Sequence, residues 1–346
     1  MIILKNKFFV IPFLFLFLLP FLLSVAKSNT NSSYIVMETS SNRILEGNNI
    51  DKQMLVASTA KILTAITAIE NYSLDEEIKI SKEDVSIEGS RVYLRENELI
   101  TRYDLLHALM LRSANDAAQA LSDNDSNDFV FKMNEIAKKI GMYNSVFENS
   151  SGLDEYEYNL STAYDMAILS SYALKNKSFI EIASKKNYKC KSNVNEYNWY
   201  NKHKLVTLDS NFIWGKTGYT KKSKRILVSN YACNNMNVVI VTINYSDDWN
   251  FHKNIIKNLD DYNFVNVYKK GIYKVYIDPN YFLKIENDIV IPLKNDEYNS
   301  INLRFIITKH YAYLYVYKNN EIICKYKIEV IDDSMLDIID YIEIYS

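Results

Sequence analysis

Residues 56–69 read VASTAKILTAITAI, and from Ala57 onward they predict a helix that is apolar almost all round. A helix of this kind is buried on every side, whereas a surface helix shows one apolar stripe. Ser58 and Lys61 lie at its start, three residues apart, so both side chains project from one face. The stretch therefore predicts a buried helix that brings a serine hydroxyl and a lysine amine together at its N-terminal end.

This pair of side chains has the chemistry of an activated nucleophile. A serine hydroxyl needs a neighbouring base, and a lysine in an apolar environment can have its pKa lowered enough to act as that base. Free N–H groups at the start of a helix lie near the hydroxyl. The S-x-x-K spacing also occurs by chance in a chain rich in both residues, and the simpler interpretation is that Ser58 only caps the helix.

Two further short motifs carry polar residues that could take part in a binding or catalytic site. Ser113-Ala114-Asn115 lies between two predicted helices, where either polar residue could simply cap the second helix. Lys216-Thr217-Gly218 ends the apolar run FIW and is predicted to lie on a strand. A lysine, a hydroxyl and a residue without a side chain suit an anion site, and Gly218 lets a ligand backbone approach closely. The alternative is an ordinary strand edge or turn.

The order of the elements indicates the fold class. Residues 33–45 predict two strands around a polar turn, helices follow through the middle of the chain, and strands return at 212–217, 226–232 and 238–245. Thr101, and either Ser161 or Thr162, are placed to cap helices. This pattern predicts an antiparallel sheet with helices on its faces.

The C-terminal part differs in character. From about Val267 short β-rich runs follow one another, and in residues 311–317 (YAYLYVY) tyrosine alternates with aliphatic residues. Period two predicts a strand with one tyrosine face, which we interpret as half-exposed in preference to a contact surface for glycan or a partner. We predict a boundary near 262–268, with one domain at residues 33–262 and a small β-rich domain at residues 268–346.

Composition excludes several classes of function. The chain has 346 residues with 40 basic and 42 acidic side chains, so no basic excess indicates nucleic acid. Three cysteines show no C-x-x-C spacing, and four histidines show no metal-ligand spacing. We therefore predict no metal, no cofactor and no disulfide framework.

The N-terminus is predicted to direct export. Lys5 and Lys7 precede an apolar run at residues 8–26, followed by a polar linker. We predict a cleaved signal peptide at residues 1–26. The alternative is an uncleaved segment that would hold the protein at the membrane. In both cases the rest of the chain is expected on the extracytoplasmic, cell-wall side.

Taken together, the motifs S-x-x-K, S-x-N and K-T-G resemble those of the penicillin-binding proteins and serine β-lactamases. The stretches VASTAKILTAI, DLLHALMLRSANDAAQAL and WGKTGYT are similar to D-alanyl-D-alanine carboxypeptidases, as are YIVMETSSNRILEGNN and FENSSGLDEYEYNLSTAYDMA. The resemblance covers about residues 33–250. It implies an α+β fold in which a helical cluster flanks an antiparallel sheet, with a small β-rich domain at the C-terminus.

The resemblance also implies a function. It indicates a serine-type carboxypeptidase that removes the terminal D-alanine of peptidoglycan stem peptides ending in D-Ala-D-Ala, with β-lactams as inhibitors. Ser58 would be acylated, Lys61 would be its general base, and Ser113 would relay a proton to the leaving D-alanine.

The remaining motif residues would bind the substrate. Asn115 would hold the substrate amide, Lys216 would tune Ser113 electrostatically, and Thr217 beside Gly218 would hold the terminal carboxylate. The backbone N–H groups of Ser58 and Tyr219 would form the oxyanion hole.

The chain departs from the family pattern at a few positions. Ala60 stands where the family has Thr, Val56 where it has Pro, and Ser223-Lys224 where it tends to have Ala-Gly. We expect the lysine in place of glycine to alter the floor of the site, and these departures leave open an inactive wall-binding scaffold.

Two enzymatic alternatives also remain. Glu155 and Asn159 form the E-x-x-x-N pattern of class A β-lactamases, which leaves a β-lactamase open. A transpeptidase or endopeptidase would use the same acylation machinery with a different acceptor.

Overall fold

The computed structural model describes residues 31–123, 129–156, 158–233, 235–275, 281–308, 311–332 and 342–343. The predicted signal peptide at residues 1–26 lies outside the described residues. In the described part of the chain, no helix has both the length and the apolar character that crossing a bilayer requires.

The first half of the chain alternates short strands with helices. A 3₁₀ turn at Ala57–Ala60 precedes the first helix, and a π-helical turn at Ala108–Arg112 follows the third. The elements are β1 (Ser33–Glu38), β2 (Arg43–Asn48), β3 (Met54–Leu55), α1 (Lys61–Asn71), β4 (Glu77–Lys79), α2 (Lys82–Ser86), β5 (Leu99–Thr101), α3 (Arg102–His107), α4 (Asn115–Asp123), α5 (Phe129–Ile140), β6 (Leu160–Ser161) and α6 (Ala163–Ala173).

The second half is richer in strands. Its elements are α7 (Lys177–Ala183), β7 (Asn187–Lys191), β8 (Glu196–Tyr200), α8 (Leu205–Leu208), β9 (Phe212–Thr220), β10 (Lys224–Cys233), β11 (Met236–Ile243), α9 (Asp248–Lys257), β12 (Tyr262–Tyr268), β13 (Gly271–Lys274), β14 (Tyr281–Ile285), β15 (Ile289–Lys294), β16 (Ile301–Ile307), β17 (Tyr311–Lys318), β18 (Glu321–Asp332) and β19 (Ile342–Glu343).

A five-stranded antiparallel sheet organises the larger part of the molecule. Its order is β2-β1-β11-β10-β9, so the N-terminal hairpin pairs with strands that come two hundred residues later. Strand β11 (MNVVIVTI) is buried almost throughout, because helices cover both faces of the sheet, and this explains its continuous apolar run. The predicted α+β class, with helices packed on an antiparallel sheet, is confirmed.

The helices begin where side-chain caps allow. Thr101 accepts a hydrogen bond from the Asp104 N–H at 3.1 Å, and Thr162 accepts one from the Asp165 N–H at 3.0 Å. Such caps satisfy N–H groups that lack a partner within the helix. Of the two residues predicted for the later helix, the cap is Thr162.

The β-rich C-terminal part has a core of its own. A six-stranded sheet in the order β16-β17-β18-β14-β13-β19 packs there with the pair β12-β15. The predicted boundary at 262–268 coincides with β12, which pairs with β15, and the division into two domains stays a prediction. A buried ion pair joins the β1-β2 hairpin to this part, with Arg43 Nη2 2.8 Å from Glu297 Oε2.

Candidate active site

Ser58 lies in the 3₁₀ turn immediately before α1 and is half-buried. Its hydroxyl makes no capping hydrogen bond to a helix N–H, so the simple cap is not its role. Ala57 before it has φ +43°, a left-handed conformation that is unfavourable for alanine. Backbone strain of this kind persists only where the surroundings enforce it.

The loop that follows residue 150 enforces this conformation. Gly152 has φ +80°, and a Cβ added there would overlap the Ala57 carbonyl and lie 2.8 Å from the Ser58 nitrogen. Because glycine has no Cβ, the loop backbone can press directly on the turn that carries the serine. Gly152 lies in the SSGLD segment on which the family resemblance partly rests.

Lys61 is completely buried and has three partners. Its Nζ lies 3.1 Å from Ser58 Oγ and 2.7 Å from Asn115 Oδ1, and it also donates to the Ser151 carbonyl. Burial lowers the pKa of Lys61 well below its usual value, and the nearby cations Lys216 and Lys202 lower it further. A neutral amine has two N–H donors, which the two carbonyl oxygens accept, and one lone pair, which remains for the Ser58 hydroxyl.

Ser113 and Lys216 form a second pair in the same site. Lys216 Nζ donates to Ser113 Oγ at 2.8 Å and to the Thr217 carbonyl at 3.0 Å. Burial, with a contribution from Lys202, lowers the pKa of Lys216 to about 7. Ser113 has φ +59°, a left-handed conformation, at the end of the π-helical turn. Its backbone does not begin the next helix, and its hydroxyl does not cap that helix.

Asn115 connects the Ser58–Lys61 pair to a neighbouring loop. As the first residue of α4, it accepts from Lys61 through Oδ1 and donates to the Glu88 carbonyl at 2.6 Å through Nδ2. The next residue, Asp116, is fully buried and accepts backbone N–H groups from residues 92–94. One amide hydrogen of Asn115 remains for a ligand.

Strand β9 brings the third motif against the serine. Gly218 is buried, and a Cβ there would lie 3.4 Å from the Ser58 nitrogen. The Thr220 N–H donates to Ser223 Oγ on the β10 side. Because N–H groups alternate along a strand, the Tyr219 N–H points to the open edge, on the side away from β10. The Tyr219 side chain is 65% exposed and Thr217 is half-buried.

The structure also brings in residues that the sequence did not single out. Lys202 Nζ lies 3.3 Å from Ser90 Oγ, and burial lowers its pKa. Asp154 accepts from Thr220 Oγ1 at 2.5 Å and so connects the loop after residue 150 to β9. Asp154 belongs to the SGLD segment, whose similarity to the family could have identified it. Lys202 follows the β7-β8 hairpin, and no motif in the sequence marks it.

One departure from the family pattern, Lys224, and the E-x-x-x-N pattern can be placed in the structure. The expectation that Lys224 alters the floor of the site is wrong, because its side chain is exposed at the β9-β10 turn. Its backbone has φ +62°, a conformation that favours glycine. Glu155 is exposed, and the Asn159 amide is used inside its own loop, where it accepts from the Glu148 N–H at 2.8 Å. The E-x-x-x-N pattern is therefore part of the loop structure.

Comparisons with known proteins point to one family. Residues 24–247 match the family described as D-alanyl-D-alanine carboxypeptidase, peptidase S11. The D-alanyl-D-alanine carboxypeptidase DacF of Bacillus subtilis is 28% identical over 237 residues, which cover 66% of this chain and 61% of that protein. This chain thus spans less than two thirds of that relative. The D-alanyl-D-alanine endopeptidase of Haemophilus influenzae is 32% identical over 61% of this chain and 75% of that protein.

Solved structures extend the comparison. The D-alanyl-D-alanine carboxypeptidase of Mycobacterium tuberculosis aligns with a TM-score of 0.59 at 28% identity, over 61% of this chain and 81% of that one. Penicillin binding protein 5 from Haemophilus influenzae aligns with a TM-score of 0.71 at 20% identity, over 87% of this chain and 96% of that one, and shows likeness of fold. The family match covers more than half of the chain, and the protein belongs to the D-alanyl-D-alanine carboxypeptidase family, peptidase S11.

Proposed function

We propose that the protein is a serine-type D-Ala-D-Ala carboxypeptidase that removes the terminal D-alanine of peptidoglycan stem peptides through an acyl-enzyme on Ser58. The observation that carries the proposal is the contact between Ser58 Oγ and Lys61 Nζ at 3.1 Å, in a site where burial lowers the lysine pKa. A neutral lysine at this distance can take the hydroxyl proton as the oxygen attacks.

The first half of the reaction acylates the enzyme. Ser58 Oγ attacks the carbonyl carbon of the D-Ala-D-Ala bond while its proton passes to Lys61. The oxyanion that forms accepts hydrogen bonds from the backbone N–H groups of Ser58 and Tyr219, which Gly218 allows to lie close together. The C–N bond then breaks, and the leaving amine takes a proton from Ser113, which regains one from Lys61.

The second half returns the enzyme. Water attacks the ester carbonyl and gives a proton to Lys61. The ester C–O bond then breaks, Lys61 returns the proton to Ser58 Oγ, and the shortened stem peptide leaves. Throughout, Asn115 holds the substrate amide, and until the D-alanine leaves, Lys216 with Thr217 faces its terminal carboxylate. Lys216 keeps the Ser113 hydroxyl oriented through the 2.8 Å contact.

The deciding experiment is acylation by penicillin. The protein is mixed with benzylpenicillin, and its intact mass is followed beside Ser58→Ala and the control Ser40→Ala, an exposed serine in the β1-β2 turn. A lasting one-to-one adduct on the parent and on Ser40→Ala, but not on Ser58→Ala, is the expected result. Consumption of penicillin without an adduct would indicate a β-lactamase, and neither adduct nor consumption would indicate an inactive scaffold.

A second candidate activity within the same chemistry is hydrolysis of cross-linked peptides. The Haemophilus influenzae relative at 32% identity is named an endopeptidase, which favours testing this substrate too. Release of free D-alanine from a peptide ending in D-Ala-D-Ala, compared with cleavage of a cross-linked dimer, separates the two activities.

We further propose that residues 1–26 direct export and that the enzyme acts on the cell-wall side of the membrane. The basic and apolar pattern of this segment supports the proposal. Sequencing the N-terminus of the exported protein tests it, since a cleaved signal leaves a new N-terminus after residue 26.

A further inference from the structure

One face of the C-terminal sheet has an unusual composition. Along β17 the residues Ala312, Leu314 and Val316 are fully buried in the core, so the alternating tyrosines point outward. The ring centroids of Tyr313 and Tyr315 lie 6.4 Å apart, and the next pair along the strand, Tyr315 and Tyr317, lies 6.3 Å apart. The result is a row of half-exposed aromatic rings, with neighbouring planes tilted by 49° and 33°.

Cations from the two flanking strands lie against these rings. Lys325 Nζ is 4.2 Å from the centroid of Tyr313 and 5.2 Å from that of Tyr315. Lys327 Nζ is 3.4 Å from Tyr311, and the Arg304 guanidinium is 5.0 Å from Tyr317. We call this surface the tyrosine face, which consists of Tyr311, Tyr313, Tyr315, Tyr317, Arg304, Lys325 and Lys327.

One carboxylate lies beside the tyrosine face. Glu329, opposite Tyr311 on β18, pairs with Lys284, and Lys318 pairs with Glu297. Within the part of the chain that the structure describes, Arg304, Lys325 and Lys327 make no such ion pair. The chain has a formal net charge of -2, but these three cations form a local basic surface. Contacts with the tyrosine rings hold the cations in place.

This combination matches one class of polymer. Flat aromatic rings stack on the C–H faces of sugars, and cations held between the rings pair with carboxylates. Tyrosine supplies a large contact area at little cost in conformational entropy. The exposed Ile306, which lies opposite Tyr313 on β16, adds apolar area beside the row.

We propose that the tyrosine face binds peptidoglycan strands, with sugar rings stacked on the tyrosines and stem-peptide carboxylates paired with Arg304, Lys325 and Lys327. The proposal rests on the proposed function, since that function makes the same polymer the substrate. Binding here would hold the enzyme on the polymer while the site at Ser58 acts on successive stem peptides.

The test uses the full-length protein after acylation with benzylpenicillin, so that the active site does not contribute to binding. Co-sedimentation with insoluble purified peptidoglycan is measured for the parent, Lys325→Gln/Lys327→Gln and Tyr313→Ala/Tyr315→Ala. The matched control is Lys269→Gln/Lys270→Gln, which makes the same charge change at exposed lysines between β12 and β13. The lysine pair at 325 and 327 and the tyrosine pair are each expected to weaken binding about tenfold or more, and the control is not.

A second measurement separates this inference from the proposed function. Release of D-alanine from a short soluble peptide should be unchanged in both tyrosine-face variants, while release from polymeric peptidoglycan should fall. If penicillin acylates Ser58 but all variants sediment equally, the inference is refuted and the proposed function stands. If no acylation occurs but sedimentation depends on the tyrosine face, the binding surface stands and the proposed function fails.

Other occupants are tested in parallel arms. Sedimentation is repeated with phosphatidylglycerol vesicles and with a phosphate-bearing wall polymer. If either binds more tightly than peptidoglycan through the same residues, peptidoglycan is the wrong occupant and the inference is overturned. An equal loss in Lys269→Gln/Lys270→Gln would overturn it too, because binding would then follow net charge alone.

Discussion

Gly152→Ala should damage both the fold and the nucleophile, and Gly141→Ala is its matched control. Both glycines have left-handed backbones, with φ +80° and +98°. An added Cβ at Gly141 meets only a ring carbon of Tyr143 at 3.9 Å, whereas at Gly152 it overlaps the Ala57 carbonyl. The control therefore isolates the backbone strain, and the difference between the variants measures the overlap.

The expected magnitudes follow from these contacts. A left-handed alanine costs roughly 1–2 kcal/mol, and both variants carry this term. Gly152→Ala adds an overpacking cost of about 1–3 kcal/mol, because the atoms it meets are backbone and cannot rotate away. The loss of unfolded-chain entropy is the same in both variants and cancels in the difference. Gly152→Ala should thus be roughly 1–3 kcal/mol less stable than Gly141→Ala.

The same overlap should slow acylation. Relief of the clash moves the 3₁₀ turn that carries Ser58, and a displacement of about 1 Å at a reacting atom can reduce the rate on the order of 100-fold. Denaturant unfolding and the second-order rate of penicillin acylation are measured for both variants. If Gly152→Ala lost no more stability than Gly141→Ala and acylated at the parental rate, the loop would not be what positions the serine.

Other perturbations test the electrostatics of the molecule. The pKa of Lys216 is lowered to about 7, so kcat/KM should fall above about pH 7 if the charge of Lys216 orients Ser113. Lys202→Gln removes a neighbouring cation and should move this fall in kcat/KM to higher pH. A fall at the same or a lower pH would contradict the role assigned to Lys216. Burial lowers the pKa of His203 to about 3, below its unfolded value of about 6.5. Its contribution to stability is therefore fully present above pH 6.5 and is lost as the pH falls, so the unfolding free energy should drop by about 1 kcal/mol from pH 7 to 5.5. In His203→Gln the drop in unfolding free energy over this pH range should be smaller by that amount. Glu297→Gln leaves Arg43 buried without its carboxylate and should lower the unfolding free energy by about 3–5 kcal/mol. The double variant Arg43→Met/Glu297→Leu removes both charges and should lose less stability. Equal losses would argue against the buried charge as the cause.

Much of this fold follows from local patterns. The strands and helices that carry the three motifs are long or strongly apolar, and Thr101 and Thr162 mark helix starts as capping chemistry requires. The structure brings Ser58 and Lys61 together because a spacing of three residues places them on one helical face. The meeting of the three motifs was implied by the resemblance to D-alanyl-D-alanine carboxypeptidases, since local spacing relates only Ser58 to Lys61.

Other features have no signal in a single sequence. The left-handed backbones at Ala57, Ser113 and Lys224 carry residues that do not favour them, so composition predicts none of them. At Ala57 the conformation is enforced by packing from Gly152, which lies far along the chain. Lys202 reaches the site because its N–H donates to the Leu111 carbonyl, a contact that only the folded chain provides.

The lysines of the site explain how one cleft can hold both a base and cations. Lys216 and Lys202 disfavour the charge of Lys61, and Lys202 disfavours that of Lys216. Asp116, which partly offsets this at Lys61, is committed to backbone N–H groups. Lys61 gives up its proton most readily, because it is completely buried and the other two cations both act on it. The remaining positive charge then lies beside Ser113 and Thr217, where a substrate ending in a carboxylate would raise the pKa of Lys216 and keep it charged. In the proposed reaction, substrate binding would thus favour the protonation states that are needed, with a neutral lysine at Ser58 and a charged one at Ser113.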